Sequence, residues 1–252
     1  MRAMNKDREN EIIKILLAEK NVSVKELADR LYTSMPSIRR DLASLERAHL
    51  IKRVHGGASL DASALSDTKI PFIVRELEQS SAKAVIAEKA ARLVKDNDVV
   101  MLDASTSAYG VIPFLVSKKN ILIITNGIKA LQAAGEYGIR ALSAGGELLP
   151  SCQSLVGAET SRMIKSYNAD ILFFSCRGLT NGGLITDFSL EENYARRTML
   201  EQSEKRVLLC DSNKIGKKYM HTLCTAADID YIISENKLPE GLSSKEYLDT
   251  PK

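Results

Sequence analysis

The chain has 252 residues, of which 44% are hydrophobic and 27% are charged, a composition typical of a folded protein with a mostly aliphatic core. No segment approaches the run of about 18 apolar residues that a membrane span needs, and the charged N-terminus lacks the apolar stretch of a secretory signal. We therefore expect a cytoplasmic protein with no membrane partner.

The positive charge is concentrated near the N-terminus. The net charge is +3, but residues 1–60 carry 12 Lys and Arg against 8 Asp and Glu, and the remainder carries 23 against 24. A local basic excess favours contact with a polyanion such as nucleic acid. The N-terminal part of the chain is therefore the candidate nucleic-acid-binding part.

The four cysteines predict neither a metal site nor a disulfide framework. Cys152, Cys176, Cys210 and Cys224 form no CxxC pair, and no histidine spacing completes a zinc site. Three of them lie in or beside apolar runs, which favours reduced, buried thiols. We expect no metal and no cofactor.

Three helices are predicted within the first 50 residues. Residues 7–19 place apolar side chains at helical spacing, and Ser23 with Glu26 forms a capping box that opens a second helix. Ser34 is a good N-cap for a third helix, which has a proline in its first turn and runs to about Ala48. Two helices, a tight turn and a further helix within this length predict a helix-turn-helix.

The third helix has one apolar face and one basic face. At 100° per residue Ile38, Leu42 and Leu45 form a stripe, Arg40 lies opposite them, and Arg39 lies at one flank. The outward face is small, hydroxylic and basic, which suits a helix that enters a major groove. The alternative is that both arginines belong to a solvated helix surface. Asp41 lies near the stripe and is expected to orient a neighbouring basic residue.

A short hairpin is predicted directly after the third helix. The run IKRVHGG has strand character and ends in a glycine turn, which makes the N-terminal module a winged helix. Its basic side chains could reach the phosphates that flank a groove. The residues predicted to contact double-stranded DNA are Ser34, Met35, Ser37, Arg39, Arg40, Lys52, Arg53 and His55.

The remainder of the chain predicts a linker and a second domain. We place the winged helix at residues 1–58, a linker of small and polar residues with a short helical run at 59–80, and an α/β domain at 81–252. In that domain helices are predicted near 81–98, 107–117, 127–136 and 190–203. They alternate with the apolar runs VVMLDAS, ILIITN, IRALSAGG, DILFFSCRG, RVLLCD and YIIS. Buried strands alternating with helices indicate a mainly parallel sheet flanked by helices.

The strands of this predicted sheet end in small or polar residues, as in DAS, TNG, AGG, SCRG and CDSN. In open α/β sheets ligands bind at the carboxyl ends of the strands. The pattern therefore predicts a ligand site at that edge.

The run SIRRDLASLERAHLIKRVHGGA resembles the N-terminal signature of the DeoR family of bacterial transcription regulators. Further fragments follow in family order over about 230 residues. They are LDASTS at 102–107, Thr125-Asn126, AGGEL at 144–148, SLVG at 154–157, the F-x-x-x-x-G run ending at Gly178, Glu192 with Arg196, and DSNK at 211–214. The resemblance implies a DNA-binding repressor of a carbohydrate operon. It also implies a C-terminal domain that resembles sugar-phosphate isomerases in fold and senses a phosphorylated sugar.

The resemblance and the strand ends together predict the effector site. Hydroxyls and N–H groups at 105–107 suit a phosphate at a helix N-terminus, and Lys214 could add a cation. Gly145 and Gly146 would let backbone amides approach a ligand, and nearby acids could accept sugar hydroxyls. The predicted effector-binding residues are Asp103, Ser105, Thr106, Ser107, Thr125, Asn126, Gly145, Gly146, Glu147, Arg177, Gly178, Glu192, Arg196, Asp211 and Lys214. The alternatives are that the glycine pair is only a turn and that Asp103 and Asp211 only cap helices.

Several positions depart from the family pattern. Ser105 replaces a glycine and Ser107 a threonine, so phosphate could be held differently, while Arg196 replaces a lysine and changes the geometry of the charge. Met35 and the proline after it replace more polar residues in the recognition helix, so the operator could differ from those of relatives.

Two functions are consistent with this sequence. The first is a metabolite-responsive repressor that pairs as a homodimer or homotetramer on its operator. The second is a sugar-phosphate isomerase-like enzyme with an accessory DNA-binding module. An enzyme needs a base placed against a substrate carbon, and the sequence offers acids without a recognisable catalytic set. We therefore favour the regulator.

Overall fold

The computed structural model describes residues 2–60 and 70–247, with side chains from residue 7 onwards. The chain divides into two compact units, residues 1–78 and 79–252. Each unit has its own hydrophobic core, and each is described by itself.

The N-terminal unit is a winged helix-turn-helix. Its elements are helix α1 (Arg2–Glu19), strand β1 (Asn21–Ser23), helices α2 (Val24–Arg30) and α3 (Met35–Arg47), strands β2 (Ile51–Val54) and β3 (Gly57–Leu60), and helix α4 (Phe72–Leu77). The three predicted helices and the hairpin are confirmed. Ser23 and Ser34 are the N-caps of α2 and α3, and their hydroxyls accept from the N–H groups of Glu26 and Ser37. Strand β1 was not predicted, because three residues are too few for a periodic signal.

The core of this unit contains the predicted stripe of α3. Ile38, Leu42 and Leu45 are buried against α1, α2 and the sheet. Asp41 is also buried, and both of its oxygens accept from the guanidinium of Arg8 on α1, the second at 2.9 Å. The expectation that Asp41 orients a basic residue is confirmed, and this bond fixes α1 against α3.

The wing is the β2–β3 hairpin, to which β1 adds a third antiparallel strand in the order β1-β3-β2. Gly56 turns the hairpin at φ +78°. Gly57 pairs with Ser23, and a Cβ at Gly57 would lie 2.3 Å from the carbonyl oxygen of Val22. The close approach of two backbones therefore requires glycine at position 57.

The predicted linker at 59–80 is shorter in the structure. Residues 59–60 belong to β3, and 72–77 form α4, whose Val74 is buried in the core of the N-terminal unit. The periodic signal of α4 is weak because the helix has only six residues. Residues 61–69 lie outside the described part of the chain.

The C-terminal unit is built on a six-stranded parallel sheet. The strands are β4 (Val99–Leu102), β5 (Leu122–Thr125), β6 (Ala141–Ser143), β9 (Ala169–Phe174), β12 (Ser203–Leu209) and β14 (Tyr231–Ile233), in the order β14-β12-β9-β4-β5-β6. Every neighbouring pair is parallel. The predicted mainly parallel sheet is confirmed.

Helices cover both faces of this sheet. Helices α5 (Ser80–Ala91), α6 (Thr106–Tyr109) and α7 (Ile128–Glu136) pack on one face, and α8 (Ala158–Lys165) and α9 (Leu190–Glu201) pack on the other. Val100 and Leu102 point to the first face and Met101 to the second, so the strands are buried on both sides. This explains why the strand signals are continuous apolar runs rather than alternating ones.

Three predicted helices differ in length. Helix α5 ends at Ala91 rather than near 98, α9 ends at Glu201, and the predicted helix at 107–117 is α6 followed by a 3-10 helix (Ile112–Leu115). The pattern also failed to predict α8 and two small antiparallel sheets, which use short strands. These strands are β7 (Glu147–Leu149) with β8 (Ser154–Val156), and β10 (Gly178–Leu179), β11 (Leu184–Asp187) and β13 (His221–Thr225).

The substitution Gly57→Ala tests the contact between wing and β1. We expect it to lower the local free energy of opening by about 1–3 kcal/mol, because the added Cβ must push the two backbones apart. Gly56→Asn is the matched control, since that site is open and asparagine tolerates positive φ. Hydrogen exchange of the β1 and β3 amides in the full chain measures the effect. Equal protection in Gly57→Ala and the unmodified protein would contradict the assignment.

Candidate functional site: a DNA-binding surface and a sensor site

The outward face of α3 presents the predicted DNA contacts. Arg39 and Arg40 are exposed, Met35 is 45% exposed, and the Ser34 hydroxyl lies 3.0 Å from that of Ser37. The guanidinium of Arg40 donates to Ser37 Oγ at 3.2 Å. This arrangement places two hydroxyls and a cation together in the first turns of α3. In helix-turn-helix proteins the N-terminal residues of this helix contact base edges.

The wing adds charge beside this surface. Lys52, Arg53 and His55 are all exposed, and the backbone N–H of Arg53 donates to Glu46 Oε1 on α3 at 3.3 Å. That bond links the wing to the helix. The sequence prediction named all of these basic residues but did not include Tyr32, which is 98% exposed in the turn before α3.

In the C-terminal unit, the strand order brings the predicted effector residues of four strands to one edge. Asp211 follows β12, Arg177 follows β9, Asp103 follows β4 and Asn126 follows β5, and these strands are neighbours in the sheet. Parallel strands end at the same edge, so residues far apart in sequence become adjacent.

Asp103 is the acceptor at the centre of this edge. Its oxygens accept from the N–H of Ser105 at 3.1 Å, the N–H of Ser175 at 3.3 Å and Arg196 Nε at 2.8 Å. The side chain is 1% exposed. The caps of α6 and α9 are Ser105 and Ser189, so Asp103 positions the loop after β4 rather than capping a helix.

Arg196 on α9 joins three buried carboxylates. It lies 2.8 Å from Asp103, 2.9 Å from Asp187 and 3.7 Å from Glu192, and all four side chains are buried. Burial opposes the charge of Arg196, but the three acids outweigh this and raise its pKa. Asn193 Oδ1 accepts a further hydrogen bond at 3.2 Å. The guanidinium of Arg196 thus binds side chains of the protein itself. This favours a role in positioning those side chains over direct binding of a phosphate.

Lys214 is the second cation of the site. Its Nζ lies 3.0 Å from Asp211 Oδ2 and donates to Ser175 Oγ at 2.9 Å, while Ser175 Oγ donates to Leu209 O at 2.6 Å. Burial opposes the charge of the ammonium, but Asp211, Cys176 and Cys210 together outweigh burial and raise the pKa of Lys214. The lysine therefore stays protonated at neutral pH. It retains partial exposure, unlike Arg196.

The loop at 105–107 offers hydroxyls rather than a strong helix dipole. Ser105 Oγ accepts from Ala108 N at 3.1 Å, so one lone pair of this hydroxyl is used within the protein. Thr106 and Ser107 are buried. Helix α6 has only four residues, so its dipole is small and an anion here would be held mainly by N–H and O–H groups.

Two of the predicted glycine sites are explained by internal packing. Gly146, at φ +105°, would place a Cβ 2.1 Å from Thr160 Oγ1, and Thr160 itself donates to Gly145 O at 2.6 Å. A Cβ at Gly178 would lie 2.6 Å from the carbonyl oxygen of Lys217. Glu147 is exposed in the β7–β8 hairpin. These contacts favour the alternative that the glycine pair is a turn.

Some polar atoms of the site lack a hydrogen-bond partner within the described part of the chain. They are Ser107 Oγ, Asn126 Oδ1, Glu192 Oε1 and Asn193 Nδ2, and all are buried. Asn126 uses its amide hydrogens on Ser154 Oγ at 3.2 Å and Leu155 O at 2.9 Å. Buried polar atoms without a partner are rare, and their concentration here marks a place that a polar ligand can complete. Thr125 differs, because its hydroxyl accepts from Gly127 N at 3.0 Å.

The sequence prediction missed Asp187, Ser175 and Asn193. Asp187 ends β11 and Ser175 directly follows β9, so both fit the rule of polar residues at strand ends, but the sequence pattern does not predict β11 as a strand. Asn193 lies one turn from Arg196 on α9, and helical spacing from Glu192 and Arg196 could have indicated it.

The cysteines are free thiols of differing exposure. Cys176 and Cys210 are buried as expected, whereas Cys152 and Cys224 are partly exposed. A hydrogen bond with Cys176 and burial raise the pKa of Cys210, and burial raises the pKa of Cys224 to about 12. Within residues 2–60 and 70–247 no group of three His, Cys, Asp or Glu could hold a metal ion.

None of the helices in this described part of the chain has the length and the apolar composition that a membrane span requires.

A basic winged helix and a separate α/β unit with a polar site at the strand ends define a DNA-binding transcription regulator with a sensor domain. Residues 8–64 match the DeoR-like helix-turn-helix domain, and residues 78–236 match the DeoR C terminal sensor domain. The chain belongs to the DeoR family.

Curated relatives match over nearly the whole chain. The HTH-type transcriptional regulator GolR of Listeria innocua is 33% identical over 241 residues, covering 95% of this chain and 94% of its own. The glycerol-3-phosphate regulon repressor of Escherichia coli is 28% identical over 92% of this chain and 91% of its own. Among solved structures, ribose 5-phosphate isomerase A of Methanocaldococcus jannaschii is similar over 54% of each chain, with 18% identity and a TM-score of 0.42.

The substitution Arg196→Met tests the buried charge cluster. We expect the C-terminal unit to lose about 3–5 kcal/mol of stability, because three buried carboxylates would lose their shared cation. Urea unfolding of the full chain measures this. The control Arg92→Met removes a half-exposed arginine that pairs with Glu88 and should change stability by less than about 0.5 kcal/mol. An Arg196→Met protein as stable as the control would show that the cluster does not hold the site together.

Proposed function

We propose that the chain represses a carbohydrate-metabolism operon and that a phosphorylated sugar, bound at the carboxyl edge of the parallel sheet, controls its affinity for operator DNA. The observation that carries this proposal is the set of buried polar atoms in the site that lack a hydrogen-bond partner among the described residues, together with the protonated Lys214 at the same edge of the sheet. The names of relatives support it, since they include a glycerol-3-phosphate regulon repressor and a lactose phosphotransferase system repressor.

The charges of the site indicate that the phosphate and the sugar hydroxyls of the ligand would contact different groups of the protein. Arg196 is already surrounded by acids, so Lys214 and the N–H and O–H groups at 105–107 are the groups that would meet the phosphate. The buried acceptor Asn126 Oδ1 would take a hydrogen bond from a sugar hydroxyl.

The same geometry favours a binding protein over an isomerase. A catalytic base must be available to take a proton from a substrate carbon. Asp103 already accepts three hydrogen bonds, and Glu192 lies beside Arg196, so both acids serve positioning. We propose that the chain is not an enzyme. Sustained conversion of a sugar phosphate by the purified protein, lost on replacing Asp103 or Glu192, would contradict this.

The partner of the N-terminal unit is double-stranded DNA, and the protein acts in the cytoplasm. Winged helices bury little surface on DNA alone, and helix-turn-helix proteins commonly bind two half-sites through a symmetric pair. We therefore propose a homodimer or a homotetramer. Effector binding would shift DNA affinity by favouring one arrangement of the protein over another.

The recognition surface can be tested with Arg40→Ala. We expect DNA binding to weaken by about 1–3 kcal/mol, because Arg40 lies on the outward face of α3 beside Ser37. The probe is a duplex selected from a random library by the unmodified protein, and fluorescence anisotropy at fixed salt gives the affinity. Arg92→Ala, an exposed arginine of the C-terminal unit, is the control and should bind normally. Unchanged affinity of Arg40→Ala would place Arg40 on a solvated surface.

The sensor site can be tested with Lys214→Gln. A thermal-shift screen of sugar phosphates and their parent sugars should identify a ligand whose phosphate is required for stabilisation. Lys214→Gln should lose most of the shift, because it removes the cation that we propose to bind the phosphate. Lys218→Gln, an exposed neighbour on the same segment, is the matched control. Equal shifts for both variants would remove Lys214 from the site.

A further inference from the structure

The turn between α2 and α3 carries an aromatic side chain that the fold does not bury. Tyr32 is 98% exposed, the highest value among the exposed large hydrophobic residues that the structure describes. Its backbone N–H bonds to Asp29 O at 3.4 Å, and the next N–H, of Thr33, bonds to Ala28 O at 3.0 Å. The turn is therefore held by its backbone, and burial of the ring contributes nothing to its stability.

The backbone of Tyr32 also disfavours tyrosine. Its φ is +48°, in the left-handed region where glycine and asparagine are preferred and a bulky side chain is strained. Of the non-glycine residues with positive φ described in this unit, which are Lys20, Tyr32 and His49, Tyr32 alone carries a phenol ring. Stability alone would favour glycine or asparagine, so the fold does not account for a tyrosine at this position.

The position of Tyr32 accounts for it. The residue lies two positions before Ser34, the N-cap of the recognition helix, and Met35 beside it is 45% exposed. In helix-turn-helix proteins the start of this helix enters the major groove, so the turn that precedes it lies next to the sugar–phosphate backbone. Tyrosine hydroxyls are among the groups that bind DNA phosphates.

We propose that Tyr32 is a DNA-positioning residue whose phenolic O–H donates to a phosphate oxygen flanking the groove that α3 occupies. The contact is uncharged and touches no base edge, so it strengthens binding to every sequence equally. It rests on the DNA-binding function of the N-terminal unit. Binding of DNA by the unmodified protein establishes that function separately.

The experiment compares Tyr32→Asn and Tyr32→Phe in the full chain. The probes are the duplex selected by the unmodified protein and a random-sequence duplex of equal length. We expect both variants to bind both duplexes about tenfold more weakly. The dependence of log affinity on log salt should keep its slope, because no charge is removed. Tyr32→Asn should melt at the same temperature as the unmodified protein or higher, because asparagine tolerates positive φ.

The matched control is Tyr137→Asn, which removes another exposed tyrosine, at the end of α7 in the C-terminal unit. It should leave the affinity for both duplexes unchanged. Affinities of Tyr32→Asn within twofold of the control would overturn the proposal. Full affinity of Tyr32→Phe would also overturn it, because it would show that the hydroxyl makes no contact with DNA. A lower melting temperature of Tyr32→Asn would overturn it as well, because it would show that the ring stabilises the fold.

Discussion

The buried pairing of Arg196 with three acids is the interaction on which the sensor unit depends. Asp103 directly follows β4, Asp187 ends β11 and Glu192 lies with Arg196 on α9. One guanidinium therefore fixes the end of a central strand, an antiparallel strand and a helix together. Each acid is costly to bury alone, and the shared cation makes their burial possible. This cluster fixes the geometry of the loop after β4, which contains the proposed phosphate position.

This cluster also separates the roles of the two cations. Arg196 is fully enclosed by acids, while Lys214 keeps partial exposure and one acid, Asp211. A hydrogen-bond path runs from Lys214 through Ser175 to Asp103, so the two charges are mechanically linked. A ligand that engages Lys214 would act on a rigid network rather than on an isolated side chain, which suits a sensor that must transmit its state.

The N-terminal unit was largely predictable, and the sensor site was predictable only in part. Capping residues and apolar spacing act within a few residues. The structure therefore confirms the predicted N-caps Ser23 and Ser34 and the predicted buried stripe of α3. The short strands and α8 were missed because their stability comes from pairing with distant segments. The same limit hid Asp187, whose strand has no signal of its own, and made Gly146 resemble a ligand residue although it packs on Thr160.

The sequence by itself determined the two folds, the outward face of α3 and the rule that polar residues at strand ends form one site. These follow from periodicity and from the common direction of parallel strands, which are local or topological properties. Only the tertiary structure decided which charged side chains pair with other buried groups and which remain accessible to a ligand. Burial and distance set the difference between Arg196 and Lys214, and both depend on how segments far apart in sequence pack together.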